Sequence, residues 1–368
     1  MKKPKEETFR RAIKKALEMK EITVQECERL LNAEGREIEI LINTADQLRN
    51  ICVGDVVTYV INRNINFTNI CKNSCKFCAF RREKYDPNAY ILSKAEVREK
   101  TKEAVEKGAT EICLQGGINP SLTLDDYINY LKAIREASSN VHIHAFSPEE
   151  IEYASRESGK GVKSVLRSLK EVGLNSIPGT AAEILVNRVR NIICPQKISS
   201  EKWKEIIKTA HSLDIPSTAT MMYGHIESNR DIAVHLKKIR EIQKETNGFT
   251  EFVPLGFARR NTELEGNRKL KNLSETDHIK IHSVSRLMLA GSIDNIQTSW
   301  VKLGPDLARK TLNSGANDFS GTLMEENITR SAGGQIEYLK PERIEEMIQM
   351  EKKIPKERTT LYDKAGKT

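Results

Sequence analysis

Short apolar and β-branched runs alternate with amphipathic segments through most of the chain from Val56 onward. This alternation predicts parallel strands that are joined by helices. The runs with the length and composition of buried strands lie at residues 65–69, 111–115, 141–145, 175–177, 218–222, 251–255, 295–298 and 316–319. Such a series of βα units predicts an α/β fold, a (β/α)8 TIM-type barrel, whose functional groups lie at the carboxyl ends of the strands.

Helix start signals support this division of the chain. Ser93 and Ser147 each stand three residues before a glutamate, which is the pattern of a capping box. Thr23 and Glu26 open a helix in the same way near the N-terminus. We therefore expect an N-terminal helical extension, a barrel and a charged C-terminal tail, which is expected to be frayed from Glu351 to Thr368. These three parts are expected at residues 1–50, 51–345 and 346–368.

The charge pattern excludes some classes of function. The 368 residues carry a net charge of +8, but basic and acidic side chains are interleaved along the helical segments. No basic block is interleaved with aromatic residues, so nucleic-acid binding is not expected. No apolar run is long enough to span a membrane, and the first residues lead into no apolar segment of a secretory signal. These patterns predict a cytoplasmic protein.

Three of the seven cysteines, Cys71, Cys75 and Cys78, have a C-x3-C-x2-C spacing just after the first predicted strand. Thiolates this close in sequence can share one ion or cluster. The nearest histidine is His142, so the loop itself supplies three ligands. A structural zinc site would need a fourth, whereas a cubane iron–sulfur cluster held by three cysteines keeps one iron open. Structural zinc and unrelated buried cysteines are the alternatives. The cysteines expected only to pack in the core are Cys27, Cys52, Cys113 and Cys194.

Polar residues and glycines follow several of the predicted strands. The second strand ends at Gln115, Gly116 and Gly117, where the glycines let a ligand approach the backbone closely. On the third strand, His142 and His144 share one face. The other candidates for binding a polar substrate are Thr220, Tyr223, His225, Gln297, Asn317 and Asp318.

The cysteine spacing resembles that of the radical S-adenosylmethionine (SAM) superfamily. The resemblance implies a 4Fe-4S cluster on Cys71, Cys75 and Cys78, with an exchangeable SAM on the fourth iron. The reduced cluster cleaves SAM to methionine and a 5′-deoxyadenosyl radical. The further cofactor-binding positions that it implies are Phe77 beside the cluster, Gln115, Gly116 and Gly117 at the methionine amino group, Glu183 at the ribose, and Arg188 or Arg190 at the methionine carboxylate.

Other stretches resemble a subgroup that makes the deazaflavin F0 or, by the futalosine route, menaquinone. They are most similar to the CofH family of F0 synthase subunits. The stretches lie at residues 64–69, 115–120, 142–149, 178–185, 193–195, 315–318 and 321–328. The resemblance implies transfer of the 4-hydroxybenzyl group of L-tyrosine to 5-amino-6-(D-ribitylamino)uracil, with release of 2-iminoacetate, 5′-deoxyadenosine and methionine. It also implies a CofG subunit as partner.

Residues 256–262 depart from the pattern of these transferases. Where an aromatic–histidine–small–proline pattern is expected, the chain continues from Gly256 to Asn261 and Thr262. The Asn-Thr pair resembles the cyclic dehypoxanthinylfutalosine synthases of menaquinone synthesis. Such a synthase is the first alternative, and a non-catalytic iron–sulfur protein is the second.

Overall fold

The structure, a computed structural model, describes residues 2–267, 270–334 and 338–362. The strands are β1 (Val56–Val60), β2 (Asn62–Asn66), β3 (Glu111–Gln115), β4 (His142–Ala145), β5 (Ser217–Tyr223), β6 (Phe249–Gly256), β7 (Asp318–Gly321) and β8 (Ile354–Glu357). The helices are α1 (Lys2–Leu17), α2 (Val24–Leu31), α3 (Arg36–Val53), α4 (Lys94–Glu106), α5 (Leu124–Ala137), α6 (Pro148–Ser158), α7 (Val162–Glu171), α8 (Asn187–Ile193), α9 (Ser200–His211), α10 (Asn229–Thr246), α11 (Glu275–Leu289), α12 (Trp300–Leu303), α13 (Pro305–Thr311), α14 (Asn327–Ser331) and α15 (Pro341–Met350). None of these described helices is long and apolar enough to cross a membrane.

The paired strands run parallel in three small sheets, with strand orders β7–β1–β8, β2–β3–β4 and β5–β6. The predicted strands correspond to β2–β7, except that residues 175–177 and 295–298 contribute only isolated bridges. The parallel bridges between sheets are His144–Ser176, Ile177–Ser217, Phe252–Ile296, Gln297–Asp318 and Arg63–Met324. The α/β class is confirmed, while each sheet by itself is small and open.

The N-terminal helices form as the capping signals predicted. The boxes that begin at Thr23, Ser93 and Ser147 are all present, with side chain and backbone bonded in both directions. α1, α2 and α3 pack on α10 and α11. Arg240 of α10 donates a hydrogen bond of 3.0 Å to the Ile22 carbonyl, which joins the two groups of helices. These three helices therefore pack against α10 and α11, and none of their described residues lines the cavity described below.

The C-terminal segment closes the amino ends of the strands. β8 pairs with β1, and the guanidinium of Arg358 lies 2.5 Å from Asp318 and 3.3 Å from Glu251. Tyr362 donates its hydroxyl hydrogen bond to Glu251. The prediction of a frayed tail is wrong for residues 354–362, because a charge-rich sequence gives no sign that its charges meet buried partners. Residues 363–368 of the predicted tail lie outside the described residues.

Candidate active site

A cavity of about 250 Å³ lies at the carboxyl ends of the central strands. The cysteine loop, residues 71–78, follows β2, and Gly116 and Gly117 follow β3. Met222 and Gly256 line the cavity from the ends of β5 and β6. The wall is mostly apolar, with a few polar groups that converge on the space, as is typical of small-molecule sites.

The cysteine loop is held by hydrogen bonds to its neighbours in space. The Lys76 amide donates to the Ile193 carbonyl at 2.9 Å, and the Ser74 amide donates to Oε1 of Gln196 at 2.7 Å. From the other side, the Ile118 amide donates to Sγ of Cys71 at 3.3 Å. These hydrogen bonds therefore fix the backbone path of the loop.

The three thiols of the loop are a suitable donor set for an iron–sulfur cluster. Cys71, Cys75 and Cys78 all line the cavity, and no histidine or fourth cysteine in the described part of the chain does. Burial raises the pKa of the Cys71 and Cys75 thiols. Among the described residues, no three Cys, His, Asp or Glu side chains are already arranged around an ion, and neutral thiols have no electrostatic reason to converge until they bind metal as thiolates. Three thiols without a fourth cysteine or histidine suit a cluster with one open iron better than a structural zinc ion.

The glycines after β3 allow two backbones to approach closely. A Cβ on Gly117 would lie 2.3 Å from the Ile70 carbonyl oxygen and 2.9 Å from Cβ of Cys71. A Cβ on Gly116 would lie 2.7 Å from the ring of Phe67. The glycines are therefore needed for the packing of the turn against the cysteine loop, in addition to leaving backbone open to the cavity.

Gly117→Ala is expected to displace the cysteine loop, because both atoms that the new methyl group meets are backbone or adjacent to it. We expect a loss of about 1–3 kcal/mol in the free energy of unfolding, as for overpacking, and a clear loss of iron after anaerobic reconstitution. Gly161→Ala is the control, since a Cβ there meets no atom within 4 Å. Equal iron content in the two variants would contradict the close-approach argument.

An ion pair crosses part of the cavity. Oε1 of Glu183 lies 2.6 Å from Nζ of Lys197, and that nitrogen lies 5.4 Å from the centre of the Phe77 ring. Burial opposes the charge of Lys197, but the attraction of Glu183 and other neighbours keeps its pKa well above the usual value. Glu183 has a positive φ of 46°, a strained conformation for a residue with a side chain. The strain directs this carboxylate into the cavity.

Two adjacent glutamates of α6 form another part of the wall. Glu149 accepts hydrogen bonds from Asn73 Nδ2 and from the Ile198 amide, both at 2.8 Å. Glu150 accepts from the Gly116 amide at 2.9 Å and from the Ser147 amide at 2.7 Å. Burial raises the pKa of Glu150 to about 7, although these donors oppose the shift.

Comparisons with known proteins agree with this chemistry. The family model of the radical SAM superfamily matches residues 65–239, and the model of the CofH/MqnC C-terminal region matches residues 246–367. A 5-amino-6-(D-ribitylamino)uracil–L-tyrosine 4-hydroxyphenyl transferase of Archaeoglobus fulgidus is 50% identical over 320 residues, 87% of this chain and 92% of the relative. The chain belongs to this transferase family, within the radical SAM superfamily. The transferase of Methanocaldococcus jannaschii is 49% identical over 349 residues, 93% of this chain and 97% of the relative. The crystal structure of methylornithine synthase shares the fold, with a TM-score of 0.73, 20% identity and coverage of 94% of this chain and 97% of that one.

In this member of the transferase family, the structure gathers most of the predicted cofactor-binding residues around one cavity. They are Cys71, Cys75, Phe77, Cys78, Gln115, Gly116, Gly117 and Glu183. The agreement arises because these residues lie in short motifs at or after the carboxyl end of a strand or, for Glu183, after the bridge residues Ser176 and Ile177.

The two arginines expected at the SAM carboxylate lie elsewhere. Arg188 is exposed and pairs with Asp231 at 2.5 Å. Arg190 is buried and donates to the carbonyls of Ala181 and Ala182 at 3.1 and 2.5 Å. The expected placement at the cavity is therefore wrong for both, and Arg190 instead supports the strained backbone before Glu183.

The histidines of β4 are also away from the cavity. His142 Nε2 and His144 Nδ1 both lie 2.7 Å from the Ser176 hydroxyl, and burial lowers the pKa of both rings. β4 begins at His142, so strand alternation puts both rings on one face but in layers below the carboxyl end. The expected pocket position is wrong for this reason.

The remaining substrate candidates have other partners and do not line the cavity. Thr220 donates to the Gly179 carbonyl, the Tyr223 hydroxyl lies 2.7 Å from His278 Nδ1, and His225 pairs with Glu227. Gln297 donates to Glu251, Asn317 accepts from Arg286, and Asp318 pairs with Arg358. Sequence alone placed these groups near strand ends, but their side chains are directed into neighbouring elements.

Five charged groups of the wall were missed by the sequence analysis: Arg81, Glu149, Glu150, Lys197 and Lys302. Glu150 was interpreted only as the last residue of a capping box, and no motif marked the lysines. Lys302 donates to the Thr329 hydroxyl at 2.7 Å, and burial lowers its pKa. A signal existed only for the glutamates, as paired acids directly after a predicted strand.

Proposed function

We propose that this chain cleaves L-tyrosine and transfers its 4-hydroxybenzyl group to 5-amino-6-(D-ribitylamino)uracil. The co-products are 2-iminoacetate, 5′-deoxyadenosine and methionine. One observation carries the proposal: the chain is about half identical to enzymes named for this transfer, and the alignments cover nearly their full length. The cavity with three thiols supplies the chemical reason, since breaking an unactivated carbon–carbon bond of tyrosine needs radical chemistry.

We further propose that the parallel segments close into a (β/α)8 barrel. The support is the order of the pairings, which pass from β2 through β3, β4, the bridge residues, β5 and β6 to β7. The bridge from Met324 to Arg63 then leads back to β2. In such a barrel the cavity occupies the catalytic end.

The residues that would hold the cofactors follow from their positions. Cys71, Cys75 and Cys78 are the ligands proposed for a 4Fe-4S cluster, and SAM bound with it supplies a 5′-deoxyadenosyl radical. Glu183 would accept hydrogen bonds from the ribose hydroxyls of SAM. Lys197 is the proposed partner of the methionine carboxylate, in place of the two arginines expected from the sequence.

The rest of the wall would orient tyrosine and exclude water. Phe77, Phe80 and Phe257 line the cavity and present apolar surface to it. Lys302 lies on the same wall and offers a cation for the phenolate or the carboxylate of a substrate. A dry, shaped site is what a reaction through carbon radicals requires, because it prevents side reactions of the intermediates.

Glu183→Gln is expected to weaken SAM use while the cluster still assembles. The amide keeps the shape of the side chain but loses the charge that pairs with Lys197, and one of its two ends can no longer accept a hydrogen bond. We expect the KM for SAM to rise about tenfold, equivalent to about 1.4 kcal/mol. Glu205→Gln, which removes a surface pair with Lys202, is the control. An unchanged KM would remove Glu183 from the SAM site.

The decisive assay is an anaerobic incubation of the reconstituted protein with SAM, dithionite, tyrosine and the ribitylaminouracil, followed by mass spectrometry. A coupled 4-hydroxybenzyl–uracil product with 5′-deoxyadenosine supports the transferase. A second candidate, a cyclic dehypoxanthinylfutalosine synthase, rests on residues 256–262, in which Asn261 and Thr262 resemble those synthases. Gly256, Phe257 and Ala258 of this stretch line the cavity. Product formed from dehypoxanthinylfutalosine, and none from tyrosine, would overturn the first proposal.

We propose that a CofG-type radical SAM subunit receives the coupled product and closes the deazaflavin ring. The support is chemical, because the proposed product is an open adduct and not yet a ring. Mixing the two purified proteins tests this step: conversion of the adduct to F0 only when both are present would support it.

A further inference from the structure

The N-terminus of α6 makes three hydrogen bonds that an ordinary helix cap does not explain. The capping box accounts for the bonds between Glu150 and Ser147. It does not account for the bond from the Gly116 amide to Glu150, nor for either bond to Glu149. These bonds run from α6 to segments that are distant in sequence and that line the cavity.

Glu149 joins the cysteine loop to the segment that carries Lys197. One carboxylate oxygen accepts from Asn73, which lies between the first two cysteines of the loop and is 4% exposed. The other oxygen accepts from the amide of Ile198, the residue after Lys197. A single side chain therefore fixes two parts of the wall relative to each other.

Glu150 holds the glycine turn in the same way. Its Oε1 accepts from the Gly116 amide, while Oε2 accepts from the amide and the hydroxyl of Ser147. The side chain is 1% exposed, so these bonds have little competition from water. The glycine turn and the cysteine loop are therefore both hydrogen-bonded to the first turn of α6.

We propose that Glu149 and Glu150 are positioning residues that hold the cysteine loop and the Gly116–Gly117 turn in a fixed arrangement. Glu149 positions the loop that would bind the cluster, and Glu150 positions the turn that would bind SAM. This inference rests on the proposed function, because it concerns the same cavity. A carboxylate suits the task, since each of its two oxygens accepts a hydrogen bond and neither donates one. Adjacent residues on one rigid helical turn then keep the two cofactor-binding segments at a fixed separation.

The test uses glutamine, which has the shape of glutamate but offers an NH2 group at one end. In Glu150→Gln, one N–H donor must face that NH2 group, so one arm of the contact is lost. Glu149 is replaced by alanine instead, because the Asn73 amide could turn over and accept a hydrogen bond from a glutamine at this position. Hydrogen exchange of the apoprotein, read by mass spectrometry, is the first measurement. Glu149→Ala should speed exchange in residues 71–78, and Glu150→Gln should speed it in residues 115–118, each with little effect on the other segment.

The second measurement separates cluster binding from SAM binding. Glu149→Ala should lower the affinity for iron during reconstitution about tenfold, in the range seen when outer contacts of metal ligands are removed. Glu150→Gln should load iron normally but raise the Kd for SAM about tenfold, with a weaker change of the cluster's electron paramagnetic resonance signal on SAM addition. The control is Glu152→Gln on the same helix, whose side chain pairs with Arg156 outside the cavity.

Asn73→Ala gives an independent test if the variants at Glu149 and Glu150 fail to fold. It removes the bond to the cysteine loop and leaves the bond from Ile198 to Glu149 intact. Faster exchange in residues 71–78 together with poor iron loading supports the proposal. Wild-type exchange, iron loading and SAM affinity in all three variants would overturn it. A wild-type protein that binds cluster and SAM but couples no substrate would instead count against the proposed function alone.

Discussion

Cys75→Ala is expected to give a folded protein that assembles no cluster and cleaves no SAM. The reason is the donor count: among the residues that the structure describes, three thiols line the cavity, and no histidine or further cysteine lines it to replace the one removed. A cluster held by two cysteines would have two open irons and exchange freely with solvent and chelators. Since the thiol is small and lies in a loop, its loss should cost little in folding stability.

The measurements are iron and sulfide content, visible absorption and 5′-deoxyadenosine formation after anaerobic reconstitution. We expect both iron content and SAM cleavage to fall to background. Cys27→Ala is the matched control, because Cys27 is buried in α2 and is not part of the cavity wall. That variant should load cluster like the wild type. Cluster-dependent SAM cleavage by Cys75→Ala would overturn the assignment of the three ligands.

The cysteine loop and the glycine turn were predictable because their signals are local. Strand periodicity located β2 and β3, and the residues directly after a strand reach the carboxyl end whatever the rest of the chain does. Cys71, Cys78 and Gly117 could therefore be placed together before any distance was known.

Periodicity could not predict how far along its strand a residue lies, and therefore how close its side chain is to the carboxyl end. Alternation assigned His142 and His144 correctly to a common face, but the start of β4 decides which layer they occupy. The same limit applies to Asp318, the first residue of β7, which forms an ion pair with Arg358, the residue directly after β8. Contacts between segments so distant in sequence leave no pattern in either one.

Glu149 and Glu150 show a third limit. A local rule explained them as helix-capping acids, and that explanation is correct for Glu150 as far as it goes. Their bonds to Asn73 and Gly116 depend on the arrangement of three loops in space. A satisfied local rule can therefore conceal a role that only tertiary structure reveals.

Arg358→Met is expected to cost about 3–5 kcal/mol of folding stability, the range for removing one partner of a buried ion pair. The guanidinium is the cation that the structure places between Asp318 and Glu251, and the side chains are 4%, 0% and 7% exposed. Methionine retains much of the apolar volume, so the loss is mainly electrostatic. It would leave Asp318 without its ion-pair partner and remove one of the charges that favour ionised Glu251.

The pH dependence distinguishes this cause from a simple packing defect. Burial already raises the pKa of Glu251 to about 7, and Arg358 is the charge that opposes the shift most. Without the arginine, the folded-state pKa rises further above the unfolded value. A folded state that holds a proton more tightly gains stability as pH falls, so the deficit of Arg358→Met should be smaller at pH about 6 than at pH about 8. Urea unfolding at both values measures it, with Arg343→Met as the control, because Arg343 and Glu346 form an exposed pair expected to contribute at most about 1 kcal/mol. An equal, pH-independent loss in both variants would show that Arg358 does not neutralise these buried acids.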